Sequence, residues 1–335
     1  MTSRNSSDEL RTLFKGLALP VMAAPMFLVS TPALVSAASR AGILGTYAAP
    51  NARNIAALDV ALAGIAQAAR ADGGVPWALN MIVHSSYDRF DAELDLVKKY
   101  KPAMVTTALG SPRRVLETVH GYGGFVMADV IDVRLARKAV EAGVDGLILV
   151  TSGAGGHTGT YHPFAFIDEV RRFWDGPIGL AGAVSTGTHI RAAQLIGADF
   201  AVLGTRFIAT PESAAVPEYR ESLVQSAMED LVLSKAVSGV SANWLRSTLE
   251  SAGITSDQLK EEKKIDFSGD ISTAPKAWKD VWSAGHGVGA IDTIKPVSDV
   301  VDQLLEEYCR CIGREGETLR LLERQYSDDT KMTSN

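Results

Sequence analysis

Gly146-Leu147-Ile148-Leu149-Val150-Thr151 runs directly into Ser152-Gly153-Ala154-Gly155-Gly156-His157-Thr158-Gly159. The first six residues are short, branched and without polar alternation, the pattern of a strand buried on both faces. The next eight carry four glycines, no bulky residue and one histidine. Glycine tolerates positive φ and lets a second backbone or a flat ligand approach closely. A histidine on such a loop can reach a bound molecule, and its unperturbed pKa of ~6.5 suits proton transfer near neutrality. By itself the segment also reads as a Gly-rich turn with a surface histidine, so its flanks have to decide.

On both sides the same unit repeats. Apolar strands are expected at 21–26, 42–46, 77–83, 103–109, 124–129, 146–151, 177–183 and 198–205. Helices are expected at 31–40, 54–71, 90–100, 112–122, 133–142, 164–173 and 188–196. Thr31 followed by Pro32 is a helix start, and apolar residues at 55, 58, 62, 65 and 69 form a single helical stripe. Eight β-then-α units spaced by roughly 20–35 residues predict an α/β fold, a (β/α)8 TIM barrel, with an open doubly wound sheet as the alternative. The count of eight and the spread of candidate residues over many strand ends favour the barrel.

After Pro211 the alternation stops. The expected organisation is a barrel over 1–212, a small helical insert covering the substrate over 213–275, a return segment over 276–312 and a charged, frayed tail over 313–335. The return segment includes the Gly-rich Trp282-Ser283-Ala284-Gly285-His286 and a closing helix at 297–311. Residues 1–16 read as a polar arm or short helix.

Composition narrows the function. The 335 residues are 46% hydrophobic with a net charge of −6, which disfavours nucleic acid or an anionic membrane as partner. No apolar run approaches the ~20 residues of a membrane span, and Asp8, Glu9, Pro20 and Pro25 break any signal-peptide pattern. Cys309 and Cys311 are the two cysteines, read as reduced thiols of a cytoplasmic protein.

In a barrel, the residues closing each strand face one mouth. Here they are Pro25, Met26, Asn80, Thr107, Asp129, Gly155, Gly156, His157, Gly182, Ala183, Gly204 and Thr205. Small residues after strands seven and eight stand where barrels bind phosphate through backbone N–H groups; tight βα turns would need them as well. Asn80 and Asp129 suit ligand contacts, or a structural hydrogen bond and a helix cap respectively. His84 could line the mouth or be a solvated loop residue; His162 and His189 read as loop or helix-start residues. No metal-ligand spacing, Gly-x-Ser-x-Gly elbow or phosphate-loop lysine motif is present. A phosphate site with one histidine and no metal points to an organic phosphate cofactor, with flavin mononucleotide (FMN) leading.

The segments Ala24-Pro25-Met26, Leu79-Asn80, Gly153 to Gly159, Gly182-Ala183, Gly204-Thr205-Arg206-Phe207 and Trp282-Ser283-Ala284-Gly285 occur in that order. Together, over about residues 17–310, the chain resembles the nitronate monooxygenases, formerly 2-nitropropane dioxygenases. The resemblance implies an FMN barrel, His157 beside flavin and substrate as the catalytic residue, and the other mouth positions touching or neighbouring FMN. It implies oxidative denitrification of alkyl nitronates with O2 to carbonyl and nitrite, and a possible homodimer. Three positions depart from the pattern: a lysine of some relatives is Asp129, an acidic or amide residue is Val150, and a common glutamine is His286. Similar motifs occur in FMN-dependent NAD(P)H:quinone and enoyl-thioester reductases, which are the alternative activity. A non-catalytic barrel holding a phosphate ligand is the alternative of another class.

Overall fold

The computed structural model describes residues 6–255, 257–260 and 281–332. Its strands are β1 (Val21–Ala23), β2 (Gly45–Ala48), β3 (Trp77–Ile82), β4 (Met104–Ala108), β5 (Phe125–Val130), β6 (Gly146–Val150), β7 (Gly156–His157), β8 (Ile178–Ala181), β9 (Phe200–Leu203), β10 (Leu231–Ser234) and β11 (Ala242–Leu245). Eight of them form one parallel sheet in the order β1-β9-β8-β6-β5-β4-β3-β2. A bridge between Met22 and Leu44 joins β1 to β2, with Leu44 N–H donating to Val21 O and Ala23 N–H to Leu44 O. The sheet therefore closes on itself as a (β/α)8 barrel.

Alternation along each strand separates two apolar layers. Met22, Leu44, Ala78, Met104, Met127, Ile148, Phe200 and Val202 fill the barrel interior. Residues between them, such as Leu79, Val105, Val126 and Leu149, pack outward against the helices. The amino-terminal segment is the helix Ser6–Lys15, and its Leu10 and Phe14 plug the end of the barrel at which the strands begin. Phe14 stacks on Phe200 with ring centroids 3.8 Å apart. A Cβ on Gly179 would lie 2.5 Å from the Phe200 ring, so this glycine makes room for the plug. With one end sealed, the opposite mouth is the opening left for a ligand.

The eighth helical position is filled from far along the chain. After β9 only Thr205–Ile208 is helical before the insert begins. The helix Val297–Met332 then packs against Gly187–Leu195 and Pro32–Arg40, completing the ring. Gly187 permits this approach, because a Cβ there would lie 2.2 Å from Leu304 O; its N–H donates to Glu307 Oε2 at 2.7 Å.

Three expectations change. β2 lies three residues later than 42–46, because Ala41–Ile43 are used in ending the preceding helix. The insert is not purely helical: besides Pro217–Gln225 and Arg246–Ser251, it supplies β10 and β11 to a three-stranded antiparallel sheet completed by β7. Residues 261–280 of the expected insert and return segment lie outside the described residues. From Gly313 to Met332 the expected frayed tail is instead a continuation of the closing helix, despite Gly313 and Gly316.

Candidate active site

The inward face of the barrel near its mouth is polar on one side only. Thr46 on β2, Asn80 on β3, Thr106 on β4 and Asp129 on β5 all have interior parity, in line with Leu44, Ala78, Met104 and Met127. Across the barrel the matching positions are Val150, Ala181, Val202 and Ala24, all apolar. Asn80 Nδ2 donates to Thr106 Oγ1 at 2.8 Å. Thr46 Oγ1 is buried without a hydrogen-bond partner. The Asp129 carboxyl is half-buried, with no hydrogen bond or ion pair to a described side chain, and burial pushes its pKa up to about 7. An orphaned buried hydroxyl and an unpartnered carboxyl on one wall make this side of the mouth suited to a ligand with a hydrogen-bonding edge.

Thr107 falls on the other face. Strand alternation turns it toward the helices, where its hydroxyl donates to Met127 O at 3.2 Å. Thr106 takes the interior position expected of Thr107. An error of one residue flips the face because the side-chain period of a strand is two.

The glycine-histidine loop lies over the mouth because the insert holds it there. Gly156 and His157 pair as β7 with Asn243 and Ala242 of β11, and Thr158 N–H donates to Ser241 O at 2.9 Å. Asn243 is buried and its Nδ2 donates to Ala154 O at 2.8 Å. The His157 ring remains solvent-exposed in the concave mouth, yet the surrounding walls lower its pKa, which favours the neutral imidazole. Gly156 has φ +66° and open space where a Cβ would stand. Gly155 instead touches protein, with its Cβ position 2.8 Å from Gly285 N and 3.0 Å from Thr205 Oγ1. Gly156 therefore has open space beside it, whereas Gly155 packs against Gly285 and Thr205.

The remaining mouth residues divide in the same manner. Gly204 has room for a Cβ, at 3.4 Å from Ala24 Cβ and 3.6 Å from Met26 Sδ. Thr205 Oγ1 accepts from Gly285 N–H at 2.8 Å. Arg206 donates from Nη1 to Ala290 O and from Nη2 to Gln303 Oε1 at 2.7 Å, and Phe207 is fully buried. Past its glycine, Gly-Thr-Arg-Phe thus ties the return segment to the barrel. Gly182 has φ +128°, and Ala183 has φ +55°, a left-handed conformation uncommon outside glycine. Leu28 and Leu109, also at the mouth, share that conformation. Such strain gathers where surrounding structure over-determines a site.

Pro25 and Met26 are half-buried, and Asn51 fixes the loop that carries them. Its Oδ1 accepts from Leu28 N–H at 2.8 Å, and its Nδ2 donates to Met26 O and Ser30 O, both at 2.9 Å. Nothing in Ala49-Pro50-Asn51 signals this role in the sequence. Thr46 and Asn243 were also missed; only register assigns the first to the interior, and only the insert sheet brings the second to the loop. Of the other histidines, His84 contacts Ser86 Oγ at 2.8 Å after β3. His286 N–H donates to Gly153 O at 2.9 Å, with its exposed ring beside that glycine. His162 caps the helix Pro163–Arg171, and His189 lies in the first turn of Gly187–Leu195, as expected. Among the described residues no group of His, Cys, Asp and Glu could hold a metal, and no helix is long and apolar enough to cross a membrane.

Asn243→Ala should separate positioning from stability. Leaving Ala154 O unmet costs about 1–3 kcal/mol, while misplacing the His157 loop should lower turnover by roughly 10–100-fold. Thermal melting and steady-state kinetics check this; a stability loss with unchanged turnover and an unchanged pH profile would remove Asn243 from the positioning of His157.

The chain is similar to known proteins over most of its length. It is 27% identical to the nitronate monooxygenase of Paraburkholderia phytofirmans, covering 92% of this chain and 96% of that one. FabK from Thermotoga maritima superposes with a TM-score of 0.75 at 26% identity, over 92% of this chain and 98% of the other. A nitroalkane oxidase from Streptomyces ansochromogenes shares the fold, with a TM-score of 0.76 at 24% identity over 90% and 99%. Residues 62–307, from the helix Ile55–Ala71 after β2 through the insert into the closing helix, match the nitronate monooxygenase family model. With the glycine-histidine loop held over a half-polar barrel mouth, that match places this oxidoreductase in the nitronate monooxygenase family.

Proposed function

We propose that the protein is an FMN-dependent nitronate monooxygenase that converts alkyl nitronates and O2 to carbonyl compounds and nitrite. The observation that carries this reading is His157 on its glycine loop, set over orphaned polar groups at the barrel mouth. The site fits the cofactor on three counts. Thr46 and Asp129 have no hydrogen-bond partner among the described residues, Gly156 opens into empty space, and Gly204 leaves a cradle that a larger side chain would fill. Pro25, Met26, Asn80, Gly182, Ala183 and Gly204 would surround the bound cofactor with Asp129 and Gly156. Gly155, Thr107 and Thr205 would support it from behind, through the backbone and the barrel wall.

When bound, FMN supplies the electron-accepting chemistry of the reaction. The chain supplies position and proton control. Neutral His157 can take the α-proton of a nitroalkane; once protonated it can donate a charge-assisted hydrogen bond to the nitro oxygens. The insert keeps the loop over the mouth and narrows water access. Two unpaired cysteines, one of them exposed, accord with a reducing cytoplasm.

The test begins with purified protein, which should be yellow. Nitronates under air should yield nitrite, and anaerobic mixing with NADH or NADPH should leave the flavin oxidised on the time scale of turnover. Rapid bleaching by a nicotinamide would favour the reductase alternative. Colourless protein that takes up no FMN would favour a binding barrel.

A further inference from the structure

We propose that Asp129 holds the acceptor edge of the bound heterocycle by donating a hydrogen bond from its protonated carboxyl, and releases that edge on ionising. This rests on the FMN reading above. The geometry has three parts. Asp129 has the interior parity of Phe125 and Met127 and stands one residue before the end of β5, so its carboxyl is directed into the mouth. It has no hydrogen-bond or ion-pair partner among the described side chains. The other polar groups of its wall are Asn80, Thr106 and Thr46, all uncharged, and Thr46 is itself unpartnered.

No charge on the packed elements holds the carboxyl ionised. Its neighbours β4 and β6 contain no ionisable residue, and across β6 the interior positions are Ile148 and Val150. The helix Arg113–Gly121 carries Arg113, Arg114, Glu117 and His120 against the outer face of β5. The helix Val133–Ala142 likewise carries Arg134, Arg137, Lys138 and Glu141 outside the barrel wall. Asp132, in the following loop, caps its own helix through Leu135 N–H at 2.7 Å. Above the mouth stand His157 and, beside Gly153, His286.

Desolvation without a compensating cation favours the neutral acid. A neutral carboxyl has one O–H to donate, whereas a carboxylate only accepts. Toward the carbonyl edge of a flat heterocycle, the first attracts and the second repels. The site thus carries a proton-dependent hold on its ligand, separate from the proton chemistry of His157.

The experiment titrates apo-protein with FMN by flavin fluorescence from about pH 5.5 to about pH 8.5, comparing wild type with Asp129→Asn, whose amide keeps an N–H donor. Titration of the FMN phosphate and of the histidines is common to both proteins, so the ratio of dissociation constants isolates Asp129. The ratio should be constant on the acid side and should rise toward tenfold per pH unit once Asp129 ionises. A flat ratio over the whole range would mean a carboxylate that only meets solvent, and would overturn the proposal while leaving FMN binding intact. Absence of FMN binding by either protein at every pH would overturn the cofactor reading and this inference together. If Asp129→Asn fails to fold, carbon-13 NMR of aspartate-labelled wild type decides. An Asp129 carboxyl whose titration moves to higher pH on FMN binding supports the hydrogen bond; one that stays ionised through neutral pH with FMN bound rules it out.

Discussion

His157→Asn should lower turnover of neutral nitroalkanes by about 10²–10⁴-fold, the usual contribution of a general base, while FMN stays bound. Pre-formed nitronates need no α-proton removed, so they should lose less, by about the 1.5–3 kcal/mol of a charge-assisted hydrogen bond. The structure sharpens this through the environment of the ring. The concave walls around the exposed ring desolvate it and lower the His157 pKa below its ordinary value, so the neutral base persists to lower pH. The acid limb of kcat/KM on neutral nitroalkanes should therefore lie below the ordinary histidine range, with activity lost as pH falls through it. In His157→Asn that limb should vanish. Equal and small losses on both substrate forms, with the limb retained, would make His157 a bystander and move attention to His84 and His286.

The second large effect distinguishes two glycines that look alike in the sequence. Gly204→Val should give folded protein with FMN affinity reduced by roughly 10–100-fold, since a Cβ is tolerated by Ala24 and Met26 and the added methyl groups enter the cradle. Gly182→Val should fail earlier. Its φ of +128° is strained for any side chain, at about 1–3 kcal/mol. Its Cβ would also stand 2.3 Å from Thr151 Oγ1 and 3.1 Å from the carbonyl oxygens of Thr151 and Ser152. Flavin content with melting temperature reads both outcomes. Normal flavin in Gly204→Val would remove that residue from the cradle; a stable, flavin-free Gly182→Val would show that the turn can relax.

These contrasts mark how far residue patterns carry. Strand 146–151, its glycine loop and the helix start at Thr31-Pro32 were legible because they rest on local chemistry: branched apolar runs, positive φ, and a cap with proline after it. Thr31 does accept from Leu34 N–H at 2.9 Å. Thr107 was misplaced because local sequence sets the period of a strand but not its phase, and Thr106 and Thr107 are both good strand residues. The tail was read as frayed from its charge, whereas its helix continues from the segment packed on the barrel and is tied to it where Arg191 Nη2 meets Glu315 Oε2 at 2.8 Å.

The sequence by itself determined the eightfold βα repeat and set the glycine loop with His157 directly after strand β6, at the end of the barrel where the strands finish. Those follow from hydrophobic periodicity and from the small set of backbones that glycine alone permits. Only the tertiary structure decided which glycines have open space beside them, and that Thr46 and Asp129 stand on one wall without a hydrogen-bond partner among the described residues. It also decided that Asn243, more than eighty residues away in the chain, holds the His157 loop. Each depends on distances between segments remote in sequence. Burial, orphaned hydrogen-bonding groups and shifted pKa values arise when such segments pack together, and no single segment contains them.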